Sequence, residues 1–99
     1  MFIALSQFTV MPGMGDEVLN AFLSRPHLVD NAPGYIKMEV LRPQNNPDEF
    51  WLMTWWVDER SYSDWHHSHA YRESHNLMPK GLKLVSGTSK VTFLEKVCE

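Results

Sequence analysis

At 99 residues the chain supports one hydrophobic core and not two. A hydrophobic fraction of 43% argues against a disordered tract, and a formal charge of −3 argues against a surface that tracks nucleic-acid phosphates. The lone cysteine, Cys98, excludes an internal disulfide, and the apolar runs are too short for a membrane-spanning helix.

A single domain over residues 1–99 is therefore expected. The opening MFIAL passes at once into Ser6 and Gln7, with no basic flank or small-residue cleavage site, so a soluble cytoplasmic protein is expected. Phe2 to Val10 alternates as a strand does, with Phe2, Ala4, Ser6, Phe8 and Val10 on one face and Ile3, Leu5, Gln7 and Thr9 on the other. Pro12 and Gly13 end it. Asp16 to Val29 predicts a helix with Val18, Phe22 and Val29 on its apolar stripe, and acidic Asp16 and Glu17 suit the dipole of its first turn. Pro26 removes an amide donor inside that pattern, which predicts a kink or an early stop.

Pro33 and Gly34 turn the chain into a strand over Tyr35 to Arg42, and the loop PQNNPD makes a hairpin with the next strand, Glu49 to Val57. That strand asks for burial on both sides: Trp51, Met53, Trp55 and Val57 share one face, and Phe50, Leu52 and Trp56 the other. A second helix is predicted over roughly Ser61 to Asn76, with a stop near Pro79. Gly81 to Ser89 reads as loop, and Lys90 to Val97 as a fourth strand with Val91, Phe93 and Val97 on one side.

The order β, α, β, β, α, β predicts an α+β fold of the ferredoxin-like kind, an antiparallel four-stranded sheet with two helices on one face. The opposite face would leave a large apolar patch open in a single chain, so a two-fold dimer, sheet against sheet, is expected. A ligand would then sit between the sheet and its own helices.

The segment DWHHSHAYRESHN, Asp64 to Asn76, concentrates the chemistry. His75 is a residue type that can hold a haem iron or another metal, and Trp65 one that can wall a flat ligand. On one continuous helix their ten-residue separation amounts to roughly 80° of net rotation and about 15 Å of rise, which suits a large planar ligand. Tyr71, one turn before His75, is expected in the core with access to the ligand. His66 and His69 have a spacing that can chelate a metal on a helix, but no third ligand is evident. His67 and Arg72 read as solvated, with Arg72 able to reach an acidic group on a ligand.

The opening FIALSQFTVMPG, the APGYIKMEVLRP turn and strand, the central WLMTWWVDERSYSDW and SHAYRESH together resemble the antibiotic biosynthesis monooxygenases, a superfamily of dimeric α+β barrels. Within it they resemble the IsdG-type haem-degrading monooxygenases. That resemblance implies a homodimer in which His75 is the proximal ligand of the haem iron and Trp65 contacts the porphyrin; beside it, the residues themselves suggest Phe22 pressing on the ring and Tyr71 and Arg72 within reach of the ligand. Haem would be both cofactor and substrate, and an external electron donor, an unknown reductase, would be needed because the chain carries no nicotinamide or flavin fingerprint. Neither nucleic acid nor membrane is expected as a partner.

One departure stands out. The haem-degrading members carry an asparagine on the first strand that hydrogen-bonds toward the distal ligand, and Ser6 occupies that place here. Its hydroxyl can donate one hydrogen bond but reaches less far than an amide. Two other readings follow: a cofactor-independent monooxygenase acting on a quinol or polyketide-like aromatic, with His75 orienting substrate or acting as base, and a haem-binding or delivery protein without turnover.

Overall fold

The structure, a computed structural model, describes residues 1–25, 27–76 and 89–99, and of residues 73–76 the backbone alone. The interruption expected at Pro26, the stop expected near Pro79 and nearly all of the loop expected from Gly81 lie outside the described residues. The strands are β1 (Phe2–Thr9), β2 (Tyr35–Leu41), β3 (Glu49–Trp56) and β4 (Lys90–Glu95), and they form one antiparallel sheet in the order β2-β3-β1-β4. The helices are α1 (Gly15–Leu23), α2 (Glu59–His66) and α3 (His69–Asn76), and Leu28–Asn31 forms a 3-10 turn. This is the ferredoxin-like α+β arrangement.

Registers assign the two faces. Phe2, Ala4, Ser6 and Phe8 lie opposite Trp56, Thr54, Leu52 and Phe50, so these eight side chains share one face of the sheet. Phe8 meets Phe22 of α1, and Phe2 meets Tyr62 of α2, so this face is the inner one, turned toward the helices. Phe50 and Trp56 are fully buried on it. Truncating either to alanine would cost about 3–5 kcal/mol. The outer face carries Ile3, Leu5, Trp51, Met53 and Trp55, and Lys37 from β2 lies over the Trp55 ring at 4.2 Å.

Three expectations are corrected. Helix α1 ends at Leu23, so Val29 is buried from the 3-10 turn rather than from a helical stripe. Strand β4 ends at Glu95, which leaves Val97 82% exposed instead of packed beside Val91 and Phe93. The second helix is two helices, α2 and α3, with a break at His67 and Ser68. Serine competes for backbone partners inside a helix, and here it does so successfully.

Helix α1 takes its N-terminal partner from a distant loop. Met14, at its start, makes no side-chain cap, and the Asp48 carboxylate instead accepts from the Gly15 amide at 2.9 Å and the Gly13 amide at 3.4 Å. Asp48 also accepts from Val10 through its carbonyl, at 2.8 Å, which ties the end of β1 to the same loop. This approach requires glycine at position 15, where an added Cβ would stand 2.1 Å from the Pro47 carbonyl oxygen. Gly15→Ala is therefore expected to destabilise the fold by about 2 kcal/mol, the scale of an overpacked core site. A urea titration would show this as a lowered midpoint at unchanged slope.

Candidate active site

A continuous set of rings runs from the sheet into the broken helix. Tyr62 of α2 lies between the inner-face rings Phe2, Trp56 and Phe93, with centroid separations of 5.5, 5.9 and 5.5 Å. His66 packs at a tilt on Tyr62 at 4.2 Å and on Tyr71 of α3 at 4.4 Å, and Tyr71 meets the Trp65 ring edge-on at 5.9 Å. Trp65, His66 and Tyr71 are thus brought together, half-buried, across the helix break. His75 stands one turn further along α3, and its side chain lies outside the described residues.

The other site candidates are placed separately. Ser6 is half-buried on the inner face, opposite Leu52 on β3 and Val91 on β4. Phe22 packs on Phe8 and Phe50 at 6.5 and 5.9 Å, within the core cluster that also holds Val10 and Val18. Arg72 is exposed. Trp65 lines a groove of about 280 Å³ between the break and the 3-10 turn, with Leu28, Ala32, Pro33, Ser68 and Ala70, and neither Ser6 nor Phe22 reaches it.

What the inner face offers a ligand follows from its composition. The β1 and β3 residues on it are uncharged, and at the β4 edge Val91 and Phe93 are each 55% exposed despite pointing to the helix side. An apolar wall left open at its β4 edge, with the Ser6 and Thr54 hydroxyls upon it, suits a flat, largely apolar ligand better than a hydrated ion. Among the described residues no three His, Cys, Asp or Glu side chains converge on a metal position, and His66 is enclosed between tyrosines while His69 is exposed.

Burial shapes the electrostatics. Burial, with the nearby Tyr71 adding a smaller effect, raises the Tyr62 phenol above its ordinary 10.0, and burial alone raises Tyr71. Tyr35 is raised by burial and then by Asp30, which also hydrogen-bonds it. At the start of α2 the Asp58 carboxylate is held below its ordinary range, because it accepts from the hydroxyl and the amide of Ser61 at 2.7 and 2.8 Å.

Sequence reasoning missed Tyr62 and Ser68. Tyr62 and His66 are four apart on one helix, a spacing that places them on the same face. Ser68 lies in the middle of a stretch that otherwise propagates a helix, and its poor helix propensity was the available signal. His67, expected to be solvated, is exposed yet donates from Nδ1 to the Ser63 carbonyl at 2.7 Å.

The chain belongs to the antibiotic biosynthesis monooxygenase family, whose pattern matches residues 1–77. Among characterised relatives it is similar to the mycobilin-producing haem oxygenase of Mycobacterium tuberculosis, 27% identical over 63 residues. That match covers 64% of this chain and 60% of the relative, so it spans less than two thirds of the relative's length. It is also similar to the staphylobilin-producing haem oxygenase of Staphylococcus haemolyticus, 28% identical over 78 residues, covering 76% of this chain and 73% of the relative.

Solved structures share the fold, two of them as follows. One is the M. tuberculosis haem-degrader MhuD with two haems bound in its active site, with a TM-score of 0.81, 21% identity, and coverage of 100% of this chain and 98% of that one. The other is SnoaB, a cofactor-independent oxygenase of Streptomyces nogalater, with a TM-score of 0.77, 15% identity, and coverage of 99% and 94%.

The raised tyrosines set a pH dependence. A native state that holds phenolic protons more tightly than the unfolded chain is stabilised below pH 10, and that contribution is lost as pH rises through 10 and above. The urea midpoint is expected to fall across this window, and Tyr71→Phe is expected to flatten the fall. An unchanged alkaline profile in Tyr71→Phe would contradict the burial of that phenol.

Proposed function

We propose that this protein binds haem between the inner face of its sheet and the α2–α3 segment, and degrades it as a monooxygenase with release of iron. The observation that carries this reading is the uncharged inner wall, open at Val91 and Phe93 and bearing Ser6, faced by a ring assembly that ends one helical turn before His75. The similarity to haem oxygenases of two bacteria supports it.

In this reading His75 holds the iron, Trp65 and Tyr71 bear on the ring system, and Arg72 reaches an acidic substituent. Ser6 would offer a hydrogen-bond donor from the inner face of the sheet, and the apolar side chains around it would limit water there. When bound, haem would supply the redox-active iron that activates dioxygen, with electrons from an external donor. A homodimer formed through the outer face covers Ile3, Leu5, Trp51, Met53 and Trp55, all of which are only half-buried in the single chain. The setting proposed is the cytoplasm, and no helix among the described residues is long and apolar enough to cross a membrane.

Ser6 favours a second reading. Its short hydroxyl, in place of the asparagine expected of haem-degrading members, is compatible with a cofactor-independent oxygenase of the shared fold, or with haem binding without turnover.

Titrating the protein with hemin decides among these. A saturable Soret band that His75→Ala weakens at least tenfold is expected, and a wild-type protein with no such band would leave the cofactor-independent reading. With ascorbate and dioxygen, loss of the band with iron release identifies degradation. A Ser6→Asn variant that degrades hemin faster would assign the limit to that position.

A further inference from the structure

We infer that Ser68 is a positioning residue for the iron ligand: its hydroxyl breaks the second helix and thereby sets the direction in which α3, with the His75 backbone, leaves Trp65. This rests on the haem reading above. The break is specified by four hydrogen bonds from two consecutive side chains and their amides. The Ser68 hydroxyl donates to the Trp65 carbonyl at 2.6 Å, and the Ser68 amide donates to the same oxygen at 3.0 Å. The His67 amide and ring Nδ1 both donate to the Ser63 carbonyl, at 3.1 and 2.7 Å. A carbonyl can only accept, so Nδ1 of His67 carries the proton.

The Ser63 and Trp65 carbonyls of α2 thus each take a side-chain donor at the break besides a backbone amide. On its other side the same Ser68 oxygen accepts from the Tyr71 amide at 3.1 Å, the N-cap bond of a new helix, and the Arg72 amide reaches the Ser68 carbonyl at 3.4 Å. One hydroxyl thus ends α2 and starts α3. It also lies beside Trp65 in the groove that the break opens toward the 3-10 turn, and α3 packs on that turn.

The alternative conformation is one continuous helix. It would carry His75 about 15 Å along a single axis from Trp65, whereas the break redirects α3 so that Tyr71 turns back onto Trp65 and His66. Alanine at position 68 removes the cap and is the best helix former, so it shifts the population toward the continuous form. Apparent affinity falls in proportion to the population that can bind.

The test compares wild type, Ser68→Ala and Ser68→Thr as purified full-length chains. In the protein without hemin, hydrogen exchange at the Tyr71 amide is expected to quicken about tenfold in Ser68→Ala and to recover in Ser68→Thr. With hemin, Ser68→Ala is expected to bind about tenfold more weakly with a shifted Soret maximum, Ser68→Thr to restore both, and all three to unfold at similar urea concentrations. Unchanged Tyr71 exchange in Ser68→Ala overturns the inference, because the hydroxyl would not then hold the break. Altered exchange with wild-type hemin affinity and spectrum overturns it too, because the direction of α3 would not govern ligation. If wild type binds no hemin, the haem reading itself fails, and the positioning role fails with it.

Discussion

Strand β3 carries the constraint from which the architecture follows. It is paired on both edges, and its side chains demand cover on both faces: Phe50 and Trp56 are fully buried beneath the helices, while Trp51, Met53 and Trp55 occupy the outer face. Slipping the β1 register by one residue would move every side chain of β1 to the other face. Phe8 opposite Phe50 and Phe2 opposite Trp56 oppose such a slip at both ends. With those ends held, Ser6 has to face the helices, in the gap between one aromatic cluster at Phe8, Phe22 and Phe50 and another at Phe2, Trp56 and Tyr62.

The helices are placed by short polar contacts as much as by apolar stripes. Asp48 reaches across from the β2–β3 loop to the first amides of α1, so the position of that helix depends on a loop far away in sequence. Ser68 acts locally, using one oxygen as donor to α2 and acceptor from α3. Both replace backbone partners that a helix end lacks. Core burial decides that helices cover the inner face, and these contacts decide where each begins and stops.

The consequence for function is a division of labour. The β1 and β3 residues of the sheet supply an uncharged wall bearing the Ser6 and Thr54 hydroxyls, and the α2–α3 segment supplies rings in mutual contact, Tyr62, His66, Tyr71 and Trp65, leading toward His75. One fold can carry different chemistries when a few side chains on such a frame change.

Strand periodicity made most of this legible in the sequence. The alternation of Phe2 to Val10 and the two-sided pattern of Glu49 to Val57 reported which faces are buried, because side-chain direction along a strand has a period of two whatever the strand packs against. The break at Ser68, the capping of α1 by Asp48 and the packing of His66 between two tyrosines were not legible. A lone serine in a helical pattern states only a weak preference, and a carboxylate 33 residues away has no local signature at all. The sequence by itself determined which residues are apolar, where strands alternate and which side chains carry usable chemistry. Only the tertiary structure decided which of them meet, because hydrogen bonds and ring contacts depend on distances that chain order does not set.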